Sequence, residues 1–294
     1  MSLAELLTFA ITAESGPKPH DDELDVFGIT DIGKVRQENQ DHFLIATVHQ
    51  QLVVHGTSFP NLEKLPVRGE RLAAIFLVAD GVGGAAAGRE ASQLTVTTIA
   101  HYVSSTMRCF QATVGEHDEE QVLASLRAAT AEAHQAVRAE AITRGEAKMA
   151  TTMTLVVTVW PRAYVVQVGD SRYYAWSNGQ LRLVTRDQTL AQDLVDQGVL
   201  PADRLARSPF RNVLARAIGA EEATPEVTLI NLHQDSIGII CSDGLTKHVT
   251  DEEIAEQVKA SMGSEQLCKS LLAMALDRGG SDNVTIVSAR IVRH

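Results

Sequence analysis

The sequence lacks closely spaced cysteines, long apolar runs and an excess of positive charge. Its three cysteines, Cys109, Cys241 and Cys268, are widely separated, which argues against a zinc or disulfide framework and predicts a reducing, cytoplasmic location. No apolar run approaches the roughly 20 residues of a membrane helix, so we expect no membrane association. The formal net charge of −11 argues against nucleic-acid binding, which requires a basic surface.

The N-terminus also lacks the basic start of a secretory signal, and Glu5 interrupts its apolar residues. Those apolar residues recur at helical spacing, so we expect a short helix that packs on the body or, alternatively, binds a partner. The stretch 15–23 is rich in glycine, proline and acidic residues and is predicted to be a linker. Residues 1–24 would therefore precede a main domain that covers 25–294.

Apolar patterning in the rest of the chain predicts an α+β fold with antiparallel sheets. Strands are grouped, two amphipathic helices follow, and further strands, two helices and a last strand complete the order. A doubly wound fold would instead alternate strand and helix strictly. Residues 49–71 and 187–219 are predicted to be surface segments. Predicted strands cover 26–30, 42–47, 72–79, 151–160, 163–168, 172–176, 180–184, 226–231, 236–241 and 283–292; predicted helices include 96–103, 122–137 and 190–195 and begin near 251 and 264.

Aspartates stand at the ends of five predicted strands. Three strands end at Asp80, Asp170 and Asp243, and two begin just after Asp41 and Asp282. A lone Asp-Gly pair is most simply a turn, but neighbouring antiparallel strands would bring these five carboxylates to one edge. Their mutual repulsion would need cations to offset it. Oxygen ligands without a histidine or cysteine pattern favour Mg²⁺ or Mn²⁺, and two such ions could activate a water held between them.

Six short motifs follow one another along the chain. They are Gly33-x-x-Arg36-x-x-Asn39-x-Asp41, Asp80-Gly-Val-Gly-Gly84, Gly169-Asp-Ser-Arg172, Arg211-Asn-Val-Leu-x-Arg-Ala-Ile-Gly219, Ser242-Asp-Gly-Leu245 and Ser281-Asp-Asn283. In order and spacing they resemble those of the metal-dependent protein serine/threonine phosphatases (type 2C, or PPM) in their bacterial form. Each motif is weak alone, but six in the same order are highly specific. The resemblance covers about residues 25–292.

The resemblance implies a four-layer α/β/β/α sandwich, in which two antiparallel sheets are flanked by helices. Two Mn²⁺ or Mg²⁺ ions would lie in a cleft at one end. By position, Asp80 would bridge the two ions and the carbonyl of Gly81 would join it. Asp243 and Asp282 would complete the first ion. Asp41 would order the waters of the metal shell and so count among both the metal-binding and the catalytic residues.

The resemblance also assigns a residue to the substrate and a residue to a further metal. Arg36 would clamp the substrate phosphate, which its planar donor fork suits. Asp170, with Asp243, would hold a third and weaker metal; the plain alternative is that Asp170 only caps its turn. Residues 187–212 would form a flap near the cleft that influences substrate choice.

Three positions depart from the family pattern. Gln40 stands where many relatives carry glutamate, and we expect a small effect. Val82 replaces the histidine proposed as general acid in animal members, so water or another group would protonate the leaving oxygen. Gln188 stands where relatives often carry histidine, which is expected to affect only flap detail. Ser171 and Cys241 are expected to be structural, since no nucleophile elbow surrounds Ser171 and Cys241 lies on an apolar strand.

The resemblance implies hydrolysis of phosphoserine and phosphothreonine in proteins by direct attack of a water that bridges the two ions. Its partners would be phosphorylated protein substrates and a cognate serine/threonine kinase, and the chain would be a monomer. The main alternative is a catalytically silent relative that binds a phosphoprotein; loss of Asp80, Asp243 or Asp282 would favour it, and all three are present. A narrower alternative, a phosphatase of an anti-sigma-factor antagonist, stays open.

Overall fold

A computed structural model of the chain describes residues 15–51, 68–105 and 116–292. The predicted N-terminal helix, Cys109 and most of the predicted excursion at 49–71 lie outside the described residues. None of the helices in the described ranges combines the length and the apolar character needed to cross a bilayer.

Strands and helices follow the predicted order along the chain. In chain order the strands are β1 (Leu24–Asp31), β2 (His42–Gln51), β3 (Arg68–Ala79), β4 (Gly81–Val82), β5 (Ala150–Thr151), β6 (Met153–Val159), β7 (Arg162–Val168), β8 (Arg172–Ser177), β9 (Gln180–Leu183), β10 (Glu226–Asn231), β11 (Ile237–Cys241) and β12 (Val284–Ile291). The helices are α1 (Ala85–Ser105), α2 (Glu116–Arg144), α3 (Leu190–Asp196), α4 (Asp243–Thr246), α5 (Asp251–Ala260) and α6 (Ser264–Asp277), with short 3-10 turns at Asp21–Glu23 and Ala202–Arg207.

Ten of the twelve described strands form two five-stranded sheets, β4 and β5 pair with each other, and every pairing is antiparallel. The first sheet has the order β10-β7-β6-β3-β2, and the second has the order β1-β12-β11-β8-β9. The β8–β9 hairpin turns at Asn178 and Gly179, which have φ angles of 51° and 77°. Positive φ angles at two successive residues are typical of the tight two-residue turn that joins the strands of a hairpin, so the predicted hairpin is confirmed.

Three apolar layers hold the sandwich together. The first joins α1 and α2 to the first sheet, the second lies between the two sheets, and the third joins the second sheet to α5 and α6. Strand β3 explains how the layers arise, because Ile75 and Leu77 face the helices while Phe76 and Val78 face the other sheet. A strand buried on both faces reads as a continuous apolar run. The predicted four-layer sandwich is confirmed.

The helices bury the faces that their apolar spacing predicts. Helix α2 presents Leu126, Ala129, Ala133 and Val137 to the first sheet, and each of these side chains is fully buried. Helix α5 begins at a capping box, in which Thr250 accepts from the backbone N–H of Glu253 and the Glu253 carboxylate accepts from the backbone N–H of Thr250. This reciprocal pair satisfies donors that a helix start leaves free.

The segment predicted to be a linker is held against the body. The side chain of Arg71 donates to the Asp21 carboxylate and the Pro19 carbonyl, and Gln234 donates to the Pro17 carbonyl. Part of the predicted linker is therefore an ordered segment that contacts the body. A segment without apolar periodicity can still be ordered when distant side chains bind its backbone, and composition alone does not reveal those partners.

Candidate metal centre

Three of the predicted aspartates lie at one end of the first sheet. His42 pairs with Ala79, so Asp41 and Asp80 stand at the same end of the β2–β3 pair. Strand β7 runs antiparallel to β6 and ends next to the same edge, and Asp170 follows it two residues later. Antiparallel pairing therefore brings one strand entry and two strand exits together, as the sequence predicts.

The second sheet contributes the other two aspartates at the same edge. Strand β11 ends at Cys241, opposite Ile286 of β12, so Asp243 and Asp282 flank this pair of strands. The negative charges of both residues raise the pKa of Asp80 across the cleft between the sheets. The structure thus brings together all five carboxylates that the sequence singles out.

Burial and mutual repulsion raise the pKa values of four of the five carboxyl groups. Burial comes first for Asp80, whose pKa is well above its usual range, and the charges of the four other aspartates add to it. Burial together with the charge of Asp243 raises the pKa of Asp41 to about 6 and that of Asp170 to about 7. The pKa of Asp243 is raised as well, chiefly by burial. Like charges held this closely need cations to become stable.

Two oxygens of the five aspartates are buried without any donor among the described residues. Oδ1 of Asp41 and Oδ1 of Asp243 are buried without a hydrogen-bond partner there, whereas Oδ2 of Asp41 accepts from Thr285 at 2.8 Å. Buried acceptors of this kind are rare in folded proteins and indicate a missing partner. A hard divalent cation would satisfy them, so the residues present fit Mn²⁺ or Mg²⁺.

Two cationic side chains engage the carboxylates of Asp282 and Asp243. Arg36 contacts both oxygens of Asp282, at 2.6 Å through Nε and 2.9 Å through Nη2. The ammonium of Lys247 lies 2.6 Å from Asp243 Oδ2 and 2.7 Å from Asp282 Oδ2. Burial opposes ionisation of Asp282, but hydrogen bonds from the two cations outweigh it and lower the pKa of that carboxyl. In this arrangement, no group of three acidic, histidine or cysteine side chains in the described ranges is placed to hold a metal ion.

Sequence reasoning placed Arg36 at this edge but missed Lys247. Lys247 follows Asp243 by four residues, the spacing at which helical side chains meet, and the two residues lie on or next to the short helix α4. A helix of four residues leaves no apolar periodicity by which it could be predicted. The only available signal was the i, i+4 spacing of an acid and a base beside a predicted ligand.

The turn that carries Asp80 is held from the neighbouring strand. Thr152 Oγ1 accepts from the Asp80 N–H at 3.0 Å, and Thr151 Oγ1 donates to the Asp80 carbonyl at 2.8 Å. At Gly81 a side chain could not fit, since a Cβ atom would lie 2.3 Å from the carbonyl oxygen of Gly88. Close backbone packing, and not only a ligand, therefore explains glycine at this position.

Two of the three departures from the family pattern are structural braces. Gln40 donates from Nε2 to the Gly84 carbonyl at 2.6 Å, which ties the start of β2 to the loop after Asp80. Gln188 is fully buried, and its Oε1 accepts from the Gly169 N–H at 2.9 Å. The expectation that Gln188 affects only the flap was wrong, because this contact holds the turn that presents Asp170. Gln188 and Gly169 are too far apart in the sequence for a local pattern to reveal this contact.

Asn283 positions the loop that carries Arg36. Its Nδ2 donates to the carbonyls of Ile32 and Glu38, both at 2.9 Å, and its Oδ1 accepts from the Gln40 N–H at 2.9 Å. One side chain thus satisfies three backbone groups of residues 32–40. Arg36 itself stays about half exposed and can be reached from the cleft.

The predicted flap begins at a partly buried ion pair. Arg172 on β8 forms a two-pronged contact with Asp187, with Nε and Nη2 each 2.8 Å from a carboxylate oxygen. Beyond it, Phe210 is 47% exposed and belongs to a shallow cleft that also contains Leu194 and Leu200. Arg204, Arg207 and Arg211 are exposed on the same segment.

The two alternative nucleophiles are core residues. Ser171 is fully buried, and its hydroxyl contacts that of Thr152 at 2.8 Å. Cys241 is fully buried too, and burial raises the pKa of its thiol to about 12. Neither group has the accessibility or the ionisation that nucleophilic catalysis requires.

Comparison with known proteins relates this geometry to a family. The family model for protein phosphatase 2C matches residues 64–276. The chain is 34% identical over 235 residues to the serine/threonine protein phosphatase PstP of Mycobacterium tuberculosis, a match that covers 79% of this chain but only 42% of PstP. It is 28% identical to the serine/threonine phosphatase stp of Listeria innocua, over 88% of this chain and 92% of that protein.

Solved structures give the same relationship. A crystal structure of M. tuberculosis PstP superimposes with a TM-score of 0.73 at 30% identity, covering 92% of this chain and 99% of that one. A second structure, of the PstP catalytic domain in complex with two manganese ions, has a TM-score of 0.70 at 30% identity over the same shares. The predicted family is confirmed: the chain belongs to the protein phosphatase 2C family.

Proposed function

We propose that the chain hydrolyses phosphoserine and phosphothreonine in proteins with the help of bound Mn²⁺ or Mg²⁺. The observation that carries the proposal is the convergence of five aspartates, four with raised pKa values, beside an exposed arginine. Such an edge repels a phosphate dianion until cations are bound. When bound, divalent ions offset that repulsion, polarise the phosphoryl group and lower the pKa of water.

The residues that would hold the ions follow from the family positions. Asp80 and the carbonyl of Gly81 would be shared by two ions, and Asp243 and Asp282 would complete the first of them. The two manganese ions bound by PstP support this count. Asp41, with its unpartnered Oδ1, would complete the shell. Asp170 would serve a weaker third ion together with Asp243, which its raised pKa and the brace from Gln188 support.

Arg36 is proposed to bind the phosphate of the substrate. Its guanidinium is half exposed at the mouth of the cleft, and its fork of donors suits a phosphate as well as it suits Asp282. The exposed arginines and Phe210 of the flap would contact the polypeptide around the phosphorylated residue. Substrates would therefore be phosphoproteins, supplied by a serine/threonine kinase, and the chain would act on them as a monomer.

The silent-relative alternative has no support in the site. A binding protein without activity would be favoured by the loss of Asp80, Asp243 or Asp282, and all three are present. Their carboxylates lie close enough together that the charge of Asp282 raises the pKa values of the other two. No observation favours an anti-sigma-factor antagonist over other phosphoproteins as substrate.

The test is hydrolysis of phosphoserine and phosphothreonine peptides by EDTA-treated protein, with and without added ions. We expect activity only after Mn²⁺ or Mg²⁺ is restored, and little activity on a matched phosphotyrosine peptide. The Asp80→Asn variant is the control for a contaminating phosphatase. Full activity in EDTA, or recovery with Zn²⁺ alone, would contradict the proposal, because the oxygen ligands described above suit harder ions.

A further inference from the structure

Lys247 lies where the divalent ion shared by Asp243 and Asp282 would have to bind. Its ammonium is within 2.7 Å of Oδ2 on both carboxylates and bridges them. The side chain is 28% exposed, so most of it is enclosed by the cleft wall. No other lysine of the described residues contacts two of the five aspartates.

Backbone structure holds Lys247 in this place. The residue caps helix α4, and its N–H donates to the carbonyl of Asp243 at 2.9 Å. Residues four apart on a helical turn lie on the same face, so the lysine stem runs alongside the Asp243 side chain. The turn packs closely against the start of β12, since a Cβ at Gly244 would lie 1.9 Å from the Asn283 carbonyl oxygen. The ammonium is therefore tethered to its carboxylates.

The ammonium holds oxygens that a divalent ion bound to both carboxylates could use. Mg²⁺ binds carboxylate oxygen at about 2.1 Å, so an ion on the two Oδ2 atoms would overlap the lysine nitrogen, and an ion on the unpartnered Oδ1 of Asp243 would lie beside its positive charge. The ion must displace the ammonium or accept a repelling charge beside it.

Arg36 has a different geometry. Its hydrogen bonds go to Asp282, which it approaches from the exposed mouth of the cleft. It can leave for a substrate phosphate without opening the pair. Within the described part of the chain, the ammonium of Lys247 contacts the carboxylates of Asp243 and Asp282 and no other acidic group.

We propose that Lys247 is an intramolecular competitor of the divalent ion at the Asp243–Asp282 pair, and so sets the affinity of that position. The inference rests on the proposed function for the identity of the ion, but it concerns binding and not turnover. It implies that Lys247 stabilises the protein when ions are scarce and weakens binding when they are added. The position would then respond to the concentration of free Mn²⁺.

The experiment compares Lys247→Gln with Lys269→Gln. Lys269 also contacts an acid four residues before it, Glu265, at 2.6 Å, but on an exposed helix face away from the aspartates. Calorimetric titration of the EDTA-treated, dialysed proteins with Mn²⁺ should show at least about tenfold tighter binding of one ion to Lys247→Gln, because one adjacent unit charge is removed. In EDTA the same variant should melt at a lower temperature than the wild type. Lys269→Gln should resemble the wild type in both measurements.

The outcomes separate this inference from the proposed function. If the wild type binds no Mn²⁺, the proposed function fails. If the wild type binds Mn²⁺ and Lys247→Gln binds it equally or more weakly, only the role of Lys247 fails. Should Lys247→Gln unfold in EDTA, its recovery by Mn²⁺ would support competition, whereas failure to recover would overturn it. Lys247→Arg, which keeps the charge, should stay near the wild-type affinity, and a gain like that of Lys247→Gln would contradict the inference.

Discussion

The charges of the four other aspartates act on the carboxylate of Asp80. This carboxylate should therefore support activity when metal is bound and destabilise the protein when metal is removed. Asp80→Asn keeps the shape of the side chain and removes the charge. We expect kcat in Mn²⁺ to fall by about 100-fold or more, since the group proposed to bridge the ions is lost. In EDTA the variant should melt at a higher temperature than the wild type, because burial and repulsion raise the pKa of Asp80 and its ionised form destabilises the fold.

The matched control is Asp277→Asn at the exposed end of α6. It removes the same charge at a distance from the cleft, and it should change neither kcat nor the melting temperature in EDTA by a comparable amount. An Asp80→Asn variant that loses activity but also melts lower in EDTA would indicate a purely structural role.

Arg36 has two partners to choose between, the carboxylate of Asp282 and the substrate phosphate. Arg36→Lys keeps the charge but loses the fork of donors, so KM for phosphopeptides should rise about tenfold, the cost of one charge-assisted hydrogen bond. Steady-state kinetics at saturating Mn²⁺ measure this. The same variant should bind Mn²⁺ with nearly wild-type affinity by calorimetry. A weaker metal affinity with an unchanged KM would place Arg36 in the metal site and not on the substrate.

Residue identities at the metal centre were predictable where each sits at the end of a strand. Asp80 and Asp243 follow apolar runs that end abruptly at Asp-Gly, and that pattern is local. The contacts of Lys247 and Gln188 are not local, since each depends on how a short turn meets a residue of another element. Sequence patterns report periodicity and strand ends, and these contacts involve neither.

At the scale of elements, prediction succeeded where burial imposes a period. Helix α2 and strand β3 each bury a regular set of positions, so their apolar spacing predicts them. Helix α4 was missed because four residues complete one turn only. The prediction missed the end of β2 and the start of β3, where Gln51 pairs with Arg68. Strand pairing is made by the backbone, so it can continue through polar residues that show no apolar alternation.

The flap is joined to the second sheet by one pair of side chains, Arg172 and Asp187. The contact has two parallel donors, both side chains are about three-quarters buried, and Arg172 also donates to the Tyr174 hydroxyl at 3.1 Å. Arg172→Met leaves the Asp187 charge without this partner, and Asp187→Asn leaves Arg172 with only the longer contact to Asp251 at 3.6 Å, so each variant should be destabilised. A double-mutant cycle by chemical denaturation should give a coupling free energy of about 2 kcal/mol.

The exposed pair of Lys269 and Glu265 serves as the control for that cycle. Exposed ion pairs contribute roughly 0–1 kcal/mol, so its coupling energy should be clearly smaller. Equal coupling energies for the two pairs would mean that Arg172 and Asp187 do not anchor the flap more firmly than a surface contact does.

At the scale of the whole molecule, folding and metal binding act on the same charges. The two sheets meet at an edge where five aspartates gather, although the chain already carries a formal net charge of −11. Sheet packing keeps these groups together whether or not a cation is bound. The free energy that ions supply to the site should therefore appear as stability of the entire sandwich, since a ligand that binds only the folded state stabilises it.

The pH dependence of stability gives a test at this scale. Burial raises the pKa of Asp170 to about 7, above its value of 3.8 in the unfolded chain, so the folded state retains a proton that the unfolded state has lost. That contribution is fully present below pH 4 and disappears as the pH rises through 7, with a slope of at most ~1.4 kcal/mol per pH unit.

His42 acts in the opposite sense, because burial lowers its pKa. The comparison must therefore be made against Asp170→Asn, which keeps His42. In EDTA the melting temperature of the wild type should fall below that of Asp170→Asn by a margin that grows between pH 5 and pH 8. In saturating Mn²⁺ the margin should shrink or change sign, since the ionised carboxylate then has a partner. A margin that stays constant across this pH range in EDTA would show that Asp170 is ionised throughout and caps its turn without taking part in the cluster.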